Sequence, residues 1–176
     1  RKSDLIANYE ERSSEILKVM DYFDKIVPEN FKVRIRYDSA NEIDLFVYEK
    51  LNDTTDYELL FRKWNINFEN YIEETQSDYD KKYNGKINSL ELIKTKLNWS
   101  NKTIKELYEK LENANCIGVS NSEPIVIEYG FNGMGVYSYK IFKENTKEEL
   151  IEKYNDGCIN IYYRENIVLS YGGGAI

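Results

Sequence analysis

The segment Phe31-Lys-Val-Arg-Ile-Arg-Tyr-Asp-Ser-Ala-Asn-Glu-Ile-Asp-Leu-Phe-Val-Tyr48 changes the hydrophobic period of the chain from helical to two. Over residues 31–37, apolar side chains alternate with charged ones, which is typical of a strand with one buried and one solvated face. Residues 38–41 supply turn chemistry, and residues 43–48 return as a partner strand. The sequence therefore predicts a β-hairpin, but periodicity does not indicate whether it joins another sheet.

Helical periodicity precedes this hairpin. Ser3 can cap a first helix whose apolar residues fall mostly on one face. Those residues are Leu5, Tyr9, Ile16, Met20, Phe23 and Val27. Pro28 ends the predicted helix, since the residue before a proline is pushed away from helical geometry.

Helical spacing also follows the hairpin. We predict a second helix from Asp56, a further helical segment near Ser89, and a helix capped by Ser100. The second helix would carry Leu60, Trp64, Phe68, Tyr71 and Thr75 on one side. The helix after Ser100 would bury Ile104, Leu107 and Leu111.

The last third of the chain has the features of an antiparallel sheet. Gly85 is the only glycine in residues 1–115, and the other eight follow Cys116, as expected where turns separate strands. The predicted strands are 116–119, 125–131, 136–143, 158–163 and 167–171, with a short helix capped by Thr146 and ending near Tyr154. We predict one α+β domain over residues 1–176, with helices and one hairpin in the helix-rich residues 1–115 and antiparallel sheet in residues 116–176.

Composition excludes several classes of function. The 176-residue chain has a formal charge of −7 and no histidine, which rules out a Ser-His-Asp triad, a Cys-His pair and any His-ligated metal site. The acidic balance argues against a nucleic-acid partner. No run of 18 apolar residues exists, so we expect no transmembrane segment in this chain. We expect no cofactor.

Residues 80–91 resemble an EF-hand calcium loop. Asp80, Asn84 and Glu91 occupy the first, fifth and twelfth positions, where oxygen ligands are needed, and Gly85 occupies the turn position. Lys82 stands where a third-position ligand should be. The alternative interpretation is a polar connection between two helices.

The two cysteines, Cys116 and Cys158, each open a predicted strand. If those strands are neighbours, a disulfide is geometrically plausible and would contribute roughly 2–4 kcal/mol in an oxidising compartment. The alternative is a pair of small buried thiols.

Tyrosine is abundant, with sixteen in the chain. Alternation places Tyr137 and Tyr139 on one face of the predicted C-terminal sheet, and rings occur on both faces. Since only one face needs to pack on helices, some rings are expected to be exposed, and we select Tyr137, Tyr139, Tyr163 and Tyr171 as candidate ligand-binding residues. The alternative is tyrosine as ordinary strand filler.

Four C-terminal segments resemble small bacterial exported proteins of uncharacterised function, of the lipoprotein type. They are Asn-Ala-Asn-Cys116-Ile-Gly-Val-Ser, Gly133-Met-Gly-Val-Tyr-Ser-Tyr-Lys-Ile-Phe142, Tyr154-Asn-Asp-Gly-Cys158 and Leu169-Ser-Tyr-Gly-Gly-Gly-Ala-Ile176. The resemblance covers roughly the last 75 residues. It implies a periplasmic or outer-membrane-anchored location, with a lipid anchor upstream of Arg1, and it implies no catalytic residues.

These observations favour a non-catalytic, envelope-tethered binding domain that acts by surface contact with a protein or a glycan. One alternative is an enzyme that uses carboxylates or tyrosine on carbohydrate. A cleft holding two carboxyl groups about 5–10 Å apart between aromatic walls would support it. The other alternative is an acidic inhibitor or immunity-type protein that neutralises a basic partner.

Overall fold

The computed structural model describes residues 2–52, 55–73 and 77–172, with the side chains of 78–80 and 132 outside the description. This portion of the chain is α+β. Its elements are α1 (Lys2–Ile26), β1 (Phe31–Tyr37), β2 (Glu42–Lys50), β3 (Tyr57–Asn67), α2 (Asp78–Asn84), α3 (Leu90–Leu97), α4 (Asn101–Asn113), β4 (Gly118–Ser120), β5 (Ile125–Asn132), β6 (Gly135–Ile141), α5 (Lys147–Tyr154), β7 (Asn160–Arg164) and β8 (Ile167–Gly172). None of these helices is both long enough and apolar enough to span a bilayer.

The eight strands form one antiparallel sheet in the order β3-β2-β1-β4-β5-β6-β8-β7. The predicted hairpin is confirmed as β1 and β2, with Val33 opposite Val47. Strand β1 also pairs with β4, where Ile35 lies opposite Val119. The early hairpin therefore joins the C-terminal strands, so side chains from both regions of the sequence share each face of the sheet.

Helices α1 and α4 pack against one face of the sheet and bury a continuous apolar core. The side-chain amide of Asn8 on α1 donates to the Ala114 carbonyl oxygen at 3.1 Å and to the Tyr139 hydroxyl at 3.0 Å. On α4, the Ile104 carbonyl oxygen accepts a 2.7 Å hydrogen bond from the Tyr37 hydroxyl. These polar contacts fix both helices on the strands beneath them.

The predicted starts of three helices are confirmed by their caps. The Ser89 hydroxyl accepts from the Leu92 backbone N–H, and Ser100 and Thr146 each form a complete capping box. Such caps satisfy backbone donors that the first helical turn leaves unpaired. The local sequence therefore determined these boundaries.

The predicted second helix from Asp56 is wrong, because this segment forms β3. Its pairing with β2 shifts register near Leu60 and near Asn65, which has a φ of 53°. Each irregularity interrupts the two-residue alternation. The apolar residues Leu60, Trp64 and Phe68 consequently fall at helical spacing although they belong to an extended segment and its end. The first two thirds of the chain thus contribute three strands to the sheet, one more than predicted.

The connection after α2 packs against the edge strand β3. The Ile87 backbone N–H donates to the Leu60 carbonyl oxygen at 2.8 Å. Gly85 has a φ of 95°, and a Cβ there would overlap the Leu60 carbonyl. Gly85 is therefore required for close approach to β3.

Candidate functional site

Opposite α1 and α4, strands β1 to β5 present a polar and aromatic surface that no helix covers in the described residues. In β1, Val33 and Ile35 enter the core, so alternation directs their neighbours to this other side. We call this surface the arginine face and define it as Lys32, Arg34, Arg36, Asp44, Phe46, Arg62, Trp64 and Glu128. It holds three of the chain's six arginines. At the far end of the sheet, α5 covers the same side, where Leu150 packs with Phe142 and Val168.

Glu128 fixes two of these arginines. The residue is 3% exposed, and its carboxylate accepts hydrogen bonds from Arg34 Nε at 2.8 Å and from Arg36 Nε at 2.7 Å. Charge-assisted bonds of this length to a buried carboxylate are strong. The guanidinium groups of Arg34 and Arg36 are therefore held in place before any ligand arrives.

Asp44 is the second carboxyl group of the arginine face. Its Oδ1 accepts from the Asn65 backbone N–H at 3.0 Å, and its Oδ2 lies 3.6 Å from Arg36 Nη1. Burial raises the pKa of Asp44, because desolvation disfavours its charged form more than these partners favour it.

Arg62 differs from the other two arginines. Its guanidinium lies 5.3 Å from the ring centre of Phe46 and 4.7 Å from that of Trp64. Its Nε is buried without a hydrogen-bond partner, and no carboxylate of the described residues pairs with it. The arginine face thus has two more cations than carboxylates, counting Lys32 and the three arginines against Asp44 and Glu128.

Two adjoining cavities open on this face. One of about 220 Å³ is lined by Arg34, Arg36, Asp44, Phe46, Arg62 and Trp64. The other, of about 340 Å³, shares Arg34, Phe46 and Arg62 with the first and extends over Lys32, Tyr48, Tyr57, Ser120 and Ser122. The shared residues make the two cavities one groove across the strands.

Large aromatic side chains border the groove. Trp64 is 48% exposed and packs edge-on against Phe46 at 5.2 Å between ring centres. Phe131 lines neither cavity, but it is 58% exposed and its ring centre lies 4.7 Å from the guanidinium carbon of Arg36, which lines the smaller one. The groove therefore combines fixed cations with rings that a ligand can reach.

The two carboxyl groups do not form a catalytic pair. Both oxygens of Glu128 face arginine Nε atoms, and the group is buried, so it is not presented to a ligand. Glycoside hydrolysis requires both carboxyl groups to reach the scissile bond. The arrangement is suited to holding guanidinium groups.

The candidate tyrosines lie on the opposite side of the sheet. Tyr137, Tyr139 and Tyr171 are between 0% and 9% exposed, so the expectation that these rings are exposed is wrong, and their role in ligand binding stays a prediction. Tyr163 is half-buried, packs against Tyr9 with 5.7 Å between ring centres, and donates its hydroxyl to Glu10. The alternation correctly predicted that Tyr137 and Tyr139 lie on the same face of the sheet. That face is the one that α1 covers.

The segment that resembles a calcium loop does not have the conformation of one. Residues 80–84 belong to α2, and Glu91 lies in α3, where its carboxylate pairs with Lys94. Among the described side chains, no group of three or more acidic or cysteine residues is arranged to hold a metal ion. The side chain of Asp80 lies outside the described residues, so its role as a ligand stays a prediction.

The possible disulfide between Cys116 and Cys158 is absent, since both cysteines are free. Three strands, β5, β6 and β8, lie between β4 and β7, whereas a disulfide needs Cα atoms within about 7 Å. The alternative of two buried thiols holds for Cys116 alone, since Cys158 is exposed. Burial raises the pKa of Cys116 to about 12, so it is a neutral thiol at physiological pH.

The sequence pattern indicated the charged face of β1 but did not identify it as a site. Two of the required side chains, Arg62 and Trp64, come from the strand that was interpreted as a helix. The sequence signal for a strand here was the alternation of apolar Phe61 with charged Arg62. In the structure Arg62 lies opposite Phe46 of β2. No protein-family model, curated protein or solved structure matches this chain.

Proposed function

We propose that this protein is a non-catalytic binding domain that holds a glycan on the arginine face. The observation that carries the proposal is the groove, in which the Arg62 guanidinium lies beside the reachable ring of Trp64 and next to the two guanidinium groups that Glu128 holds. Aromatic side chains supply rigid contact area at low entropic cost. Such a surface acts by contact and needs no reacting group.

The shape of the groove favours a glycan over a protein. Stable protein interfaces use about 20–30 residues on each partner, whereas twelve residues line the two cavities of this site. Small concave sites with a few placed polar groups suit small molecules or short segments of a chain. Because the two cavities share Arg34, Phe46 and Arg62, we expect an elongated ligand built of ring-sized units to occupy both.

A glycan array probed with the whole chain tests this proposal, followed by calorimetry on the glycans retained. We expect wild type to bind and the double variant Trp64→Ala/Phe131→Ala to lose at least tenfold in affinity. Ile159→Ala is the matched control, since Ile159 is 49% exposed and precedes β7 at the far edge of the sheet. Equal binding by the double variant, or no glycan bound by wild type, would overturn the proposal.

Two other experimental outcomes would favour a different function for this domain. Mass spectrometry that finds shortened glycans, formed by wild type but not by Asp44→Asn, would support a carbohydrate-active enzyme. Salt-sensitive association with a basic protein, without glycan binding, would support an acidic inhibitor.

We also propose that the domain is exported and tethered at the cell envelope. The resemblance of the four C-terminal segments to exported proteins of the lipoprotein type supports this location. Fractionation of cells that express the complete gene is the test. Recovery in the membrane or periplasmic fraction is expected, and recovery with cytoplasmic markers alone would contradict it.

A further inference from the structure

We propose that the glycan is acidic and that Arg62 pairs with the carboxylate of a uronic acid unit. This inference rests on the proposed glycan-binding function and names the class of ligand. It begins from a difference in pairing among the three arginines of the arginine face. Arg34 and Arg36 share the Glu128 carboxylate. Arg62 has no carboxylate partner in the described chain, although its Nε is buried.

The position of Arg62 prepares it for a planar anion. The rings of Phe46 and Trp64 lie 5.3 and 4.7 Å from its guanidinium carbon and restrict its orientation. A guanidinium group held in one plane offers paired N–H donors that match the two oxygens of a carboxylate. Little side-chain freedom remains to be lost when that anion binds.

The neighbouring groups favour a sugar carboxylate over other anions. Phosphate carries more charge and is usually held by several donors, but the Nε atoms of Arg34 and Arg36 are already bonded to Glu128. Trp64 is half-exposed beside the guanidinium, so a ring attached to the carboxylate can lie against the indole. Lys32, 4.0 Å from the ring centre of Tyr57, places a second cation in the adjoining cavity. A second uronate in the same chain can therefore be neutralised there.

Nuclear magnetic resonance of the two indole N–H groups provides the test. Trp64 belongs to the groove, whereas the Trp99 indole is 6% exposed and donates to the Ile26 carbonyl oxygen at 2.9 Å. The probe is a trimer of galacturonic acid. Its methyl ester is the matched ligand, because esterification keeps the sugar rings and removes the charge. We expect the acid to shift the Trp64 signal, to leave the Trp99 signal in place, and to bind at least tenfold more tightly than the ester.

Two variants assign the effect to Arg62. Arg62→Gln should lower the affinity for the acid at least tenfold and make acid and ester equivalent. Lys63→Gln removes the same charge from the next position of β3 and should bind as wild type. An unchanged Trp99 signal in each variant verifies that the fold is intact. Asp44→Asn should bind the acid more tightly, since it removes the anion nearest the groove.

The outcomes separate this inference from the function on which it rests. If the ester binds as tightly as the acid, or Arg62→Gln binds as wild type, the domain binds glycans but the carboxylate inference is overturned. If a hexamer of glutamic acid binds more tightly than the sugar acid, the anion belongs to a peptide, and the inference is likewise overturned. If neither the acid nor the ester moves the Trp64 signal and the glycan array is empty, the proposed function itself fails.

Discussion

The two faces of the sheet both carry aromatic side chains, but their surroundings give these rings opposite roles. On the covered face, Tyr139 is fully buried, donates to the Leu5 carbonyl oxygen at 2.9 Å and accepts from Asn8. On the arginine face, Trp64 is half-exposed and packs on Phe46 and Arg62. An aromatic residue in a strand can therefore be reached by a ligand only when the packing of the helices leaves its face open.

Removal of a buried ring should have the largest effect. Tyr139→Ala empties a site in the core and leaves Asn8 without one of its partners, so we expect a loss of about 3–5 kcal/mol in the free energy of unfolding. Urea denaturation followed by far-ultraviolet circular dichroism measures it. Tyr139→Phe is the control and should lose about 1–2 kcal/mol, because only the hydroxyl is removed. A Tyr139→Ala loss below that of Tyr139→Phe would contradict the burial of this ring.

Removal of the Glu128 carboxylate should have the second largest effect on stability. Glu128→Ala leaves Arg34 and Arg36 facing each other without their shared anion, and we expect a loss of about 3 kcal/mol. The same denaturation measurement applies. The double variant Arg34→Met/Glu128→Ala should recover some of this loss, since it also removes one of the unpaired charges. No recovery would mean that Glu128 stabilises the fold by packing alone.

Removal of the half-exposed ring should affect stability less. For Trp64→Ala we expect about 1–2 kcal/mol, from the edge-on aromatic pair and from the part of the ring that is buried. This loss would be smaller than that of Tyr139→Ala although tryptophan is the larger side chain. A loss equal to that of Tyr139→Ala would show that Trp64 belongs to the core and would weaken the case for a binding surface.

The features that the sequence predicted are those specified by residues close together in the chain. Caps at Ser100 and Thr146 and the alternation of β1 are local, so the residues that specify them are adjacent in the chain. Strand β3 was missed because its alternation depends on two irregularities in its pairing with β2, and these are properties of the pair. Since Arg62 and Trp64 lie on that strand, the site could not be assembled from sequence.

The expectation of exposed rings at Tyr137 and Tyr139 was wrong for a similar reason. Alternation established that Tyr137 and Tyr139 share one side of β6, and the structure agrees. Which side of a sheet a helix covers depends on the long-range packing of α1. That packing is fixed by contacts such as Asn8 with Ala114, more than 100 positions away, and no local pattern contains it.

The ionisation of Asp44 should have the smallest effect on stability, and the size of that effect depends on pH. Burial raises the pKa of this carboxyl above the ordinary 3.8, so folding favours its protonated form. The stability gained from that preference is fully present below pH 3.8 and is lost as the pH rises through the folded-state pKa. At neutral pH the charged carboxylate therefore lowers stability, and Asp44→Asn should be more stable than wild type there.

Thermal melts of wild type and Asp44→Asn from about pH 3 to about pH 8 measure this difference. The advantage of the variant should shrink as the pH falls through the folded-state pKa and should stay constant below pH 3.8. Asp21→Asn removes a carboxyl group in the same way at an exposed position of α1 and is the control. If Asp44→Asn is instead less stable at neutral pH, the attraction of Arg36 outweighs the cost of burial. Asp44 would then be a charged partner of Arg36 at neutral pH, and its negative charge would oppose the binding of an anion in the groove.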